Sequence, residues 1–439
     1  MRICTGYANG RDPFGPFLMD PEQTRPMVSR GTTQQSSAPF NRRIVLDIIR
    51  RQGEASRKDI MDIVGLSPQT IVNITQDLED LNLIVSKRLK GEKGRGQPPM
   101  AFQLNPDGGD AIGISLSLNQ MSAARVNLVG EMRGRRDLEI DLRDPTTALV
   151  AMIKQVNALR DAAGSADRIW GVGVAMPGPF DAPDLSFKGP TVFEKWRGLE
   201  IFTALEEAVG LPVFYNVDSV AGAVGESLFG AARDTNRFFY LYMGAGLGGA
   251  LMLNRAAYQG ANGNATEVGH IPVERGGRLC SCGNQGCLET YLSLHALSEA
   301  LGCDEIITAD QVARRLQDRD EAITQWCRDA APYLRQAICT IENMFDPEVI
   351  VLGGSAPPAL WEMLIDVAVP WLHSVRSGLS IHDRDRVVLS RQAGDSALLG
   401  AAVLPIYEKL TPRMDVLVQG RPDSDDVVQQ KKARRVGLN

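Results

Sequence analysis

Apolar residues recur at three- and four-residue spacing from Asn41 onward, with Ile44, Val45, Ile48 and Ile49 on one face of a first predicted helix. Ser56 is placed to cap a second helix, "RKDIMDIV", which ends at Gly65. In "LSPQTIVNITQDLEDLNLI" Ser67 is the N-cap and Pro68 the first residue of a third helix. Ile71, Ile74, Leu78 and Leu81 then face inward, and Gln69, Asn73 and Gln76 share the opposite face. Two strand-like stretches, "LIVSKRLK" and "AFQL", flank the Gly-rich "GEKGRGQPP". Three helices followed by a hairpin with a basic tip is the plan of a winged helix-turn-helix, here over residues 39–105.

Beyond Asn105-Pro106 the period changes from helical to alternating. Ile112, Ile114, Leu116 and Leu118, then Ala124, Val126 and Leu128, then Leu138 and Ile140, predict a three-stranded meander. A helix near 146–163 and the apolar strand "IWGVGVAM" follow. A second half begins near Pro212, with strands at 213–217, 238–243 and 348–354 and helices around 219–229 and 290–302. A strand meander followed by helix, occurring twice, predicts two related α/β lobes over 108–405. Residues 1–38 ("GTTQQSSAP") and 406–439 ("DSDDVVQQKKARRVGLN") lack periodicity and are expected to be a disordered arm and a flexible tail.

Composition changes this picture little. A chain of 439 residues exceeds one ordinary core, and 44% apolar with 23% charged residues is the balance of a soluble globular protein. No apolar run is long enough to span a bilayer and the N-terminus has no apolar export segment, so a cytoplasmic protein with no membrane partner is expected. The net charge of -6 points away from nucleic acid, but residues 41–99 hold eleven Lys and Arg against eight Asp and Glu. The third helix offers Ser67, Gln69, Thr70 and Asn73 as candidates for reading base edges of double-stranded operator DNA. The hairpin offers Lys87, Arg88, Lys90, Lys93 and Arg95, with Gly96 and Gln97 at its tip, for phosphates or a minor groove. The competing reading is a helical bundle whose polar face is solvated.

Seven cysteines are too few and too scattered for a disulfide framework, but three of them crowd together. In "EVGHIPVERGGRLCSCGNQGCLETY" Cys280, Cys282 and Cys287 follow His270, and glycines at 276, 277, 283 and 286 permit tight turns between them. Three thiolates and an imidazole close a tetrahedral Zn2+ site with no position left for water, so the expected metal is structural.

The same stretch resembles the zinc-binding signature of the ROK family of repressors, open reading frames and sugar kinases. "YMGAGLGGALMLN", "VAMPGPFD", "WRGLEI", "VDSVAGAVGES", "DPEVIVLGGS" and "SALLGAAVL" follow in the family's order across about 108–405. The winged helix in front, with "GLS" before its third helix and "GRGQPP" in its wing, is similar to that of the family's xylose- and N-acetylglucosamine-responsive repressors. The resemblance implies an actin-like, ribonuclease H-like two-lobed α/β fold with a sugar between the lobes. It places Asp218, Glu267, His270 and Glu289 against sugar hydroxyls, with Asp218 as the general base if the chain is a hexose or amino-sugar kinase. Gly244, Gly246, Gly248 and Gly249 match the family's second phosphate loop, here expected to be vestigial. The first loop, of the form Asp-x-Gly-Gly-Thr, is missing: "GISLSLNQMSAARVNLVG" holds no Asp and no glycine between Gly113 and Gly130. Two polar sugar contacts are also altered, with Val217 following a displaced Asn216 and Val192 standing near Lys195.

These features together predict a transcriptional regulator, most often a repressor in this family. Its winged helix would bind operator DNA, and its zinc-braced ROK domain would bind a sugar or sugar derivative. It would self-associate as a homodimer or a dimer of dimers, on palindromic half-sites. An ATP-dependent sugar kinase and a zinc-stabilised protein adaptor are the competing classes.

Overall fold

A computed structural model of the chain describes residues 34–88, 100–117, 119–163, 168–178, 196, 200–261, 263–375, 385–392 and 394–412. They form two compact units, one comprising described residues up to Asn105 and from Lys409, the other Pro106–Glu408.

The first unit runs α1 (Gln34–Gln52), β1 (Ala55–Ser56), α2 (Arg57–Val64), α3 (Pro68–Asp80), β2 (Ile84–Arg88) and β3 (Met100–Leu104). Local chemistry sets each boundary. Ser56 and Asp59 form a reciprocal capping box at the start of α2. Gly65 ends α2 at φ 71°, and the Ser67 hydroxyl accepts from Thr70 N at the start of α3. The strands make an antiparallel sheet in the order β1-β3-β2. Ile49, Ile60, Ile71, Leu78, Ile84 and Phe102 bury against one another as its core. Arg42 pairs with Asp77 at 2.6 Å, and Arg57 donates to Thr75 while lying 5.0 Å over the Phe102 ring.

Three expectations need correction here. The arm was expected to extend to residue 38, but α1 already begins at Gln34. Leu81 was expected to face inward and is instead 37% exposed. The helix stops at Asp80 and Asn82 takes a left-handed φ of 60°, which turns the chain so that Leu83 and Ile84 enter the core in its place. The tail was expected from 406, but a final helix continues to Leu410, with Ile406 and Tyr407 buried. Residues 1–33, the wing positions Lys90, Lys93, Arg95, Gly96 and Gln97, and the stretch holding Val192 and Lys195 lie outside the described residues.

The second unit opens with β4 (Asp110–Leu116), β5 (Gln120–Asn127), β6 (Met132–Glu139), α4 (Pro145–Asp161), β7 (Ile169–Met176), α5 (Ile201–Val209), β8 (Val213–Val217) and α6 (Asp218–Phe229). It continues with β9 (Arg237–Met243), β10 (Leu247–Leu253), β11 (Ala256–Ala257), α7 (Leu294–Ala300), α8 (Ala309–Gln317) and α9 (Glu321–Phe345). The last elements are β12 (Val349–Gly354), α10 (Pro358–Ala368), β13 (Val387–Leu389) and α11 (Ser396–Leu410). The helix expected across 290–302 is shorter: a 3-10 turn at Leu288–Thr290 comes first, and the Ser293 hydroxyl caps α7.

Two five-stranded sheets result, β6-β5-β4-β7-β8 and β11-β10-β9-β12-β13. Each has an antiparallel meander extended by two parallel strands in the same order, so the two lobes repeat one topology. Each lobe also lends its last helix to the other. α6 follows the first sheet yet packs on the second, where a Cβ on Gly222 would stand 2.7 Å from the Tyr240 ring. α11 follows the second sheet and packs on the first, with Ala402 N only 2.2 Å from where Gly113 would carry a Cβ. The two helices cross where Gly400 meets the Ala221 carbonyl, 2.0 Å from a Cβ position. Glu226 of α6 is fully buried there and accepts from Ser390 Oγ and Ala231 N.

Candidate functional site

In the first unit, α3 presents Ser67, Gln69, Asn73 and Gln76 to solvent, with Thr70 half-buried. These side chains are organised along the helix. Gln69 donates to Asn73 and Gln76 to Asp80 across one turn, while Ser67 and Thr70 share the cap. Lys87 and Arg88 are exposed on β2.

In the second unit, the ligating atoms of His270, Cys280, Cys282 and Cys287 lie within 4.8 Å of one another. His270 Nδ1 is 3.5 Å from Cys280 Sγ, and the sulfurs of Cys282 and Cys287 are 3.7 Å apart. Burial pushes the Cys280 and Cys287 thiols up, so a cation among the donors is what would hold them as thiolates. This donor set fits a metal ion. The loop reaches the cluster through isolated bridges, Pro272 to Cys287 and Leu279 to Gln285. Gly286 has φ 79°, and a Cβ on it would stand 1.8 Å from the Glu274 carbonyl.

The far side of the loop is fastened to α9. Tyr291 stacks on Tyr333 with ring centres 4.1 Å apart, and the Arg278 guanidinium lies 4.9 Å over the Tyr291 ring. Tyr333 donates to Glu274 at 2.9 Å, and hydrogen bonds from Tyr291 and Tyr333 hold that carboxyl below its usual range. None of Glu274, Tyr291 or Tyr333 carries a signal in the sequence, because the pairing joins distant segments.

Asp218, Glu267 and Glu289 converge beside this loop. Asp218 opens α6, a position whose dipole favours a charged carboxylate, and it accepts from Ser219 N at 2.7 Å. It keeps some solvent contact, but protein atoms enclose it. Burial pushes its carboxyl up to about 7, against the Ser219 N–H, and Glu267 and Glu289 add to the rise. Glu267, though exposed along one edge, is also raised by burial, opposed by His270 and reinforced by Glu289. Asn216 spends its side-chain oxygen on the Val217 N–H, turned back on its own strand.

Glu289 has a task within the fold, since its carboxylate accepts from Leu247 N at 2.9 Å. The four glycines before and within β10 have packing reasons of their own. A Cβ on Gly246 would stand 2.3 Å from Glu289 Oε2, one on Gly244 2.7 Å from the Tyr242 ring, and one on Gly249 2.8 Å from the Thr266 carbonyl. Gly248 lies 3.0 Å from Ser219 by the same measure. Gly248 and Gly249 belong to β10, leaving Gly244 and Gly246 in the turn. At the β4–β5 turn, Ser117 N and Ser117 Oγ both donate to the Gln120 carbonyl, closing a tight loop without glycine.

The model of the ROK family matches residues 111–407. The xylose repressor of Caldicellulosiruptor bescii is 26% identical over 343 residues, which span 72% of this chain and 83% of that protein. The crystal structure of a ROK family transcriptional regulator, a homologue of the Escherichia coli MLC protein, superposes with TM-score 0.66 at 26% identity, covering 88% of this chain and all 100% of that one. The ROK hexokinase of Thermus thermophilus, also 26% identical, gives TM-score 0.51 over 67% of this chain and 97% of its own. Among the described residues no helix is long and apolar enough to cross a membrane.

Proposed function

The chain belongs to the ROK family, and on that premise we propose that it is a sugar-responsive transcriptional regulator, acting as a repressor, rather than a sugar kinase. The observation that carries this reading is coverage. A solved ROK regulator follows this chain through far more of its length than a ROK hexokinase does, and the named repressor aligns across most of both proteins. The first unit is then a winged helix-turn-helix, with α3 in a major groove and Gln69, Asn73 and Thr70 toward base edges. Ser67, whose hydroxyl caps the helix, positions its first turn.

The second unit would hold the effector, a sugar or sugar derivative, on Asp218, Glu267, His270 and Glu289. Zn2+ on His270, Cys280, Cys282 and Cys287 would fix the loop that carries three of these, while Tyr291 and Tyr333 anchor its other side. A carboxyl near 7 at Asp218 is competent both as a base and as a hydrogen-bond partner for a hydroxyl. The tight β4–β5 turn, closed on Ser117 and without glycine, favours the second role. Binding of palindromic DNA would require a homodimer or a dimer of dimers.

The test is footprinting of the full-length, zinc-loaded protein on DNA upstream of its own gene, with and without a panel of pentoses, hexoses and amino sugars. A protected palindrome released by one sugar is the expected result. Sugar-dependent ADP release that disappears in Asp218→Asn would overturn the reading in favour of a kinase.

A further inference from the structure

In open α/β sheets a ligand sits beyond the carboxyl ends of the parallel strands, where turns offer backbone N–H groups to an anion. In the second sheet those ends are Met243 of β9, followed by the turn Gly244-Ala245-Gly246, and Gly354 of β12, whose last two residues are glycines. The place is already filled from within. Tyr242 stands next to the end of β9, paired across to Gly248 on one side and Gly353 on the other, two positions without side chains. Its ring spreads toward the turn, within 2.7 Å of where Gly244 would carry a Cβ, and the Ser355 hydroxyl is 3.1 Å from the same point. The ring is buried, and Asp218 is close enough to help burial raise the Tyr242 hydroxyl well above its ordinary value.

Three amides at this end of the sheet are engaged as well. Gly244 N donates to the Gly246 carbonyl, Gly354 N to Ser396 Oγ, and Leu247 N to the Glu289 carboxylate, an anion the chain supplies itself. A phosphate placed here would displace an aromatic ring and sit against the Glu289 and Asp218 side chains, which oppose an anion to the extent that they are ionised.

We propose that Tyr242, backed by Glu289, closes the anion side of the effector site, so that the pocket accepts an uncharged hydroxyl-bearing sugar and rejects phosphate esters. The proposal rests on the regulator reading for the site itself and names the ligand class that site can take. It also assigns Tyr242 as a specificity-determining residue that acts by occupying space.

The test is isothermal titration of full-length, zinc-loaded protein with glucose 6-phosphate and with inorganic pyrophosphate as probes. Wild type is expected to bind neither tighter than about millimolar. Tyr242→Ser, which opens the space, is expected to gain at least about tenfold in affinity for one of them. Tyr242→Phe keeps the ring and should behave as wild type. Circular dichroism and zinc content establish that each variant is folded. Micromolar binding of either probe by wild type, no gain in folded Tyr242→Ser, or opening by Tyr242→Phe would each overturn the proposal. Operator footprinting by wild type reads the regulator function separately, so the two can fail independently.

Discussion

Replacing Asp218 by Asn should make the protein more stable, and increasingly so as pH rises. The substitution keeps shape and keeps an oxygen to accept from Ser219 N, but it removes a charge that the surroundings disfavour. A carboxyl moved from its usual 3.8 to about 7 loses about 1.4 kcal/mol for each tenfold, or about 4 kcal/mol once fully ionised. Residual solvent contact reduces this to about 2–4 kcal/mol. Below about pH 3, a unit under its usual value, the group is protonated whether the chain is folded or unfolded and contributes nothing. Between there and about 7 the folded state keeps a proton that the unfolded chain has released, so wild-type stability falls as pH rises. Above about 7 the penalty is complete. Urea unfolding of wild type and Asp218→Asn at matched zinc, from about pH 5.5 to 8.5, should show the variant's advantage widening by about 2 kcal/mol. A difference that stays constant across that range would refute the argument from burial and neighbouring carboxylates.

Three further outcomes follow from the geometry. Wild type is expected to carry one equivalent of zinc per chain by mass spectrometry, and Cys287→Ala should bring that close to none and lower the melting temperature; a zinc-free protein with an unchanged melt would remove the bracing role. Gly400→Ala should cost about 2–3 kcal/mol in urea unfolding, because its Cβ would press on the Ala221 carbonyl at 2.0 Å; a neutral substitution would mean that the helix crossing yields easily. Lys87→Ala with Arg88→Ala should weaken operator binding and lower the logarithmic salt slope by about one to two, and an unchanged slope would place β2 off the phosphates.

What could be read in advance was whatever neighbouring residues decide. Ser56, Gly65, Ser67 and Pro68 mark the bounds of α2 and α3 because capping and left-handed termination are settled within four residues. The gathering of His270, Cys280, Cys282 and Cys287 was legible for a similar reason, since the three cysteines lie within eight residues. Leu81 was misplaced because its spacing fits the helix while the turn at Asn82 redirects the chain. The hydrogen bond from Leu247 to Glu289, the Tyr291–Tyr333 stack and the position of Tyr242 all depend on segments far apart in sequence, where spacing carries no information. The four glycines at 244–249 show the converse. Their spacing suggests a phosphate loop, and the packing around them gives each one a reason that involves no phosphate.

The exchange of α6 and α11 between lobes has a consequence for how the chain is made. The first sheet is complete as far as β8 by Val217, but the helix that covers Gly113 and Gly173 begins only at Ser396. A growing polypeptide must therefore carry an uncovered sheet face through the synthesis of the entire second lobe, cysteine loop included. Ribosome-bound chains halted before Ser396 should hold chaperones, while chains released past Leu410 should let them go, and the last fifteen residues of ordered helix become the step that commits both lobes at once.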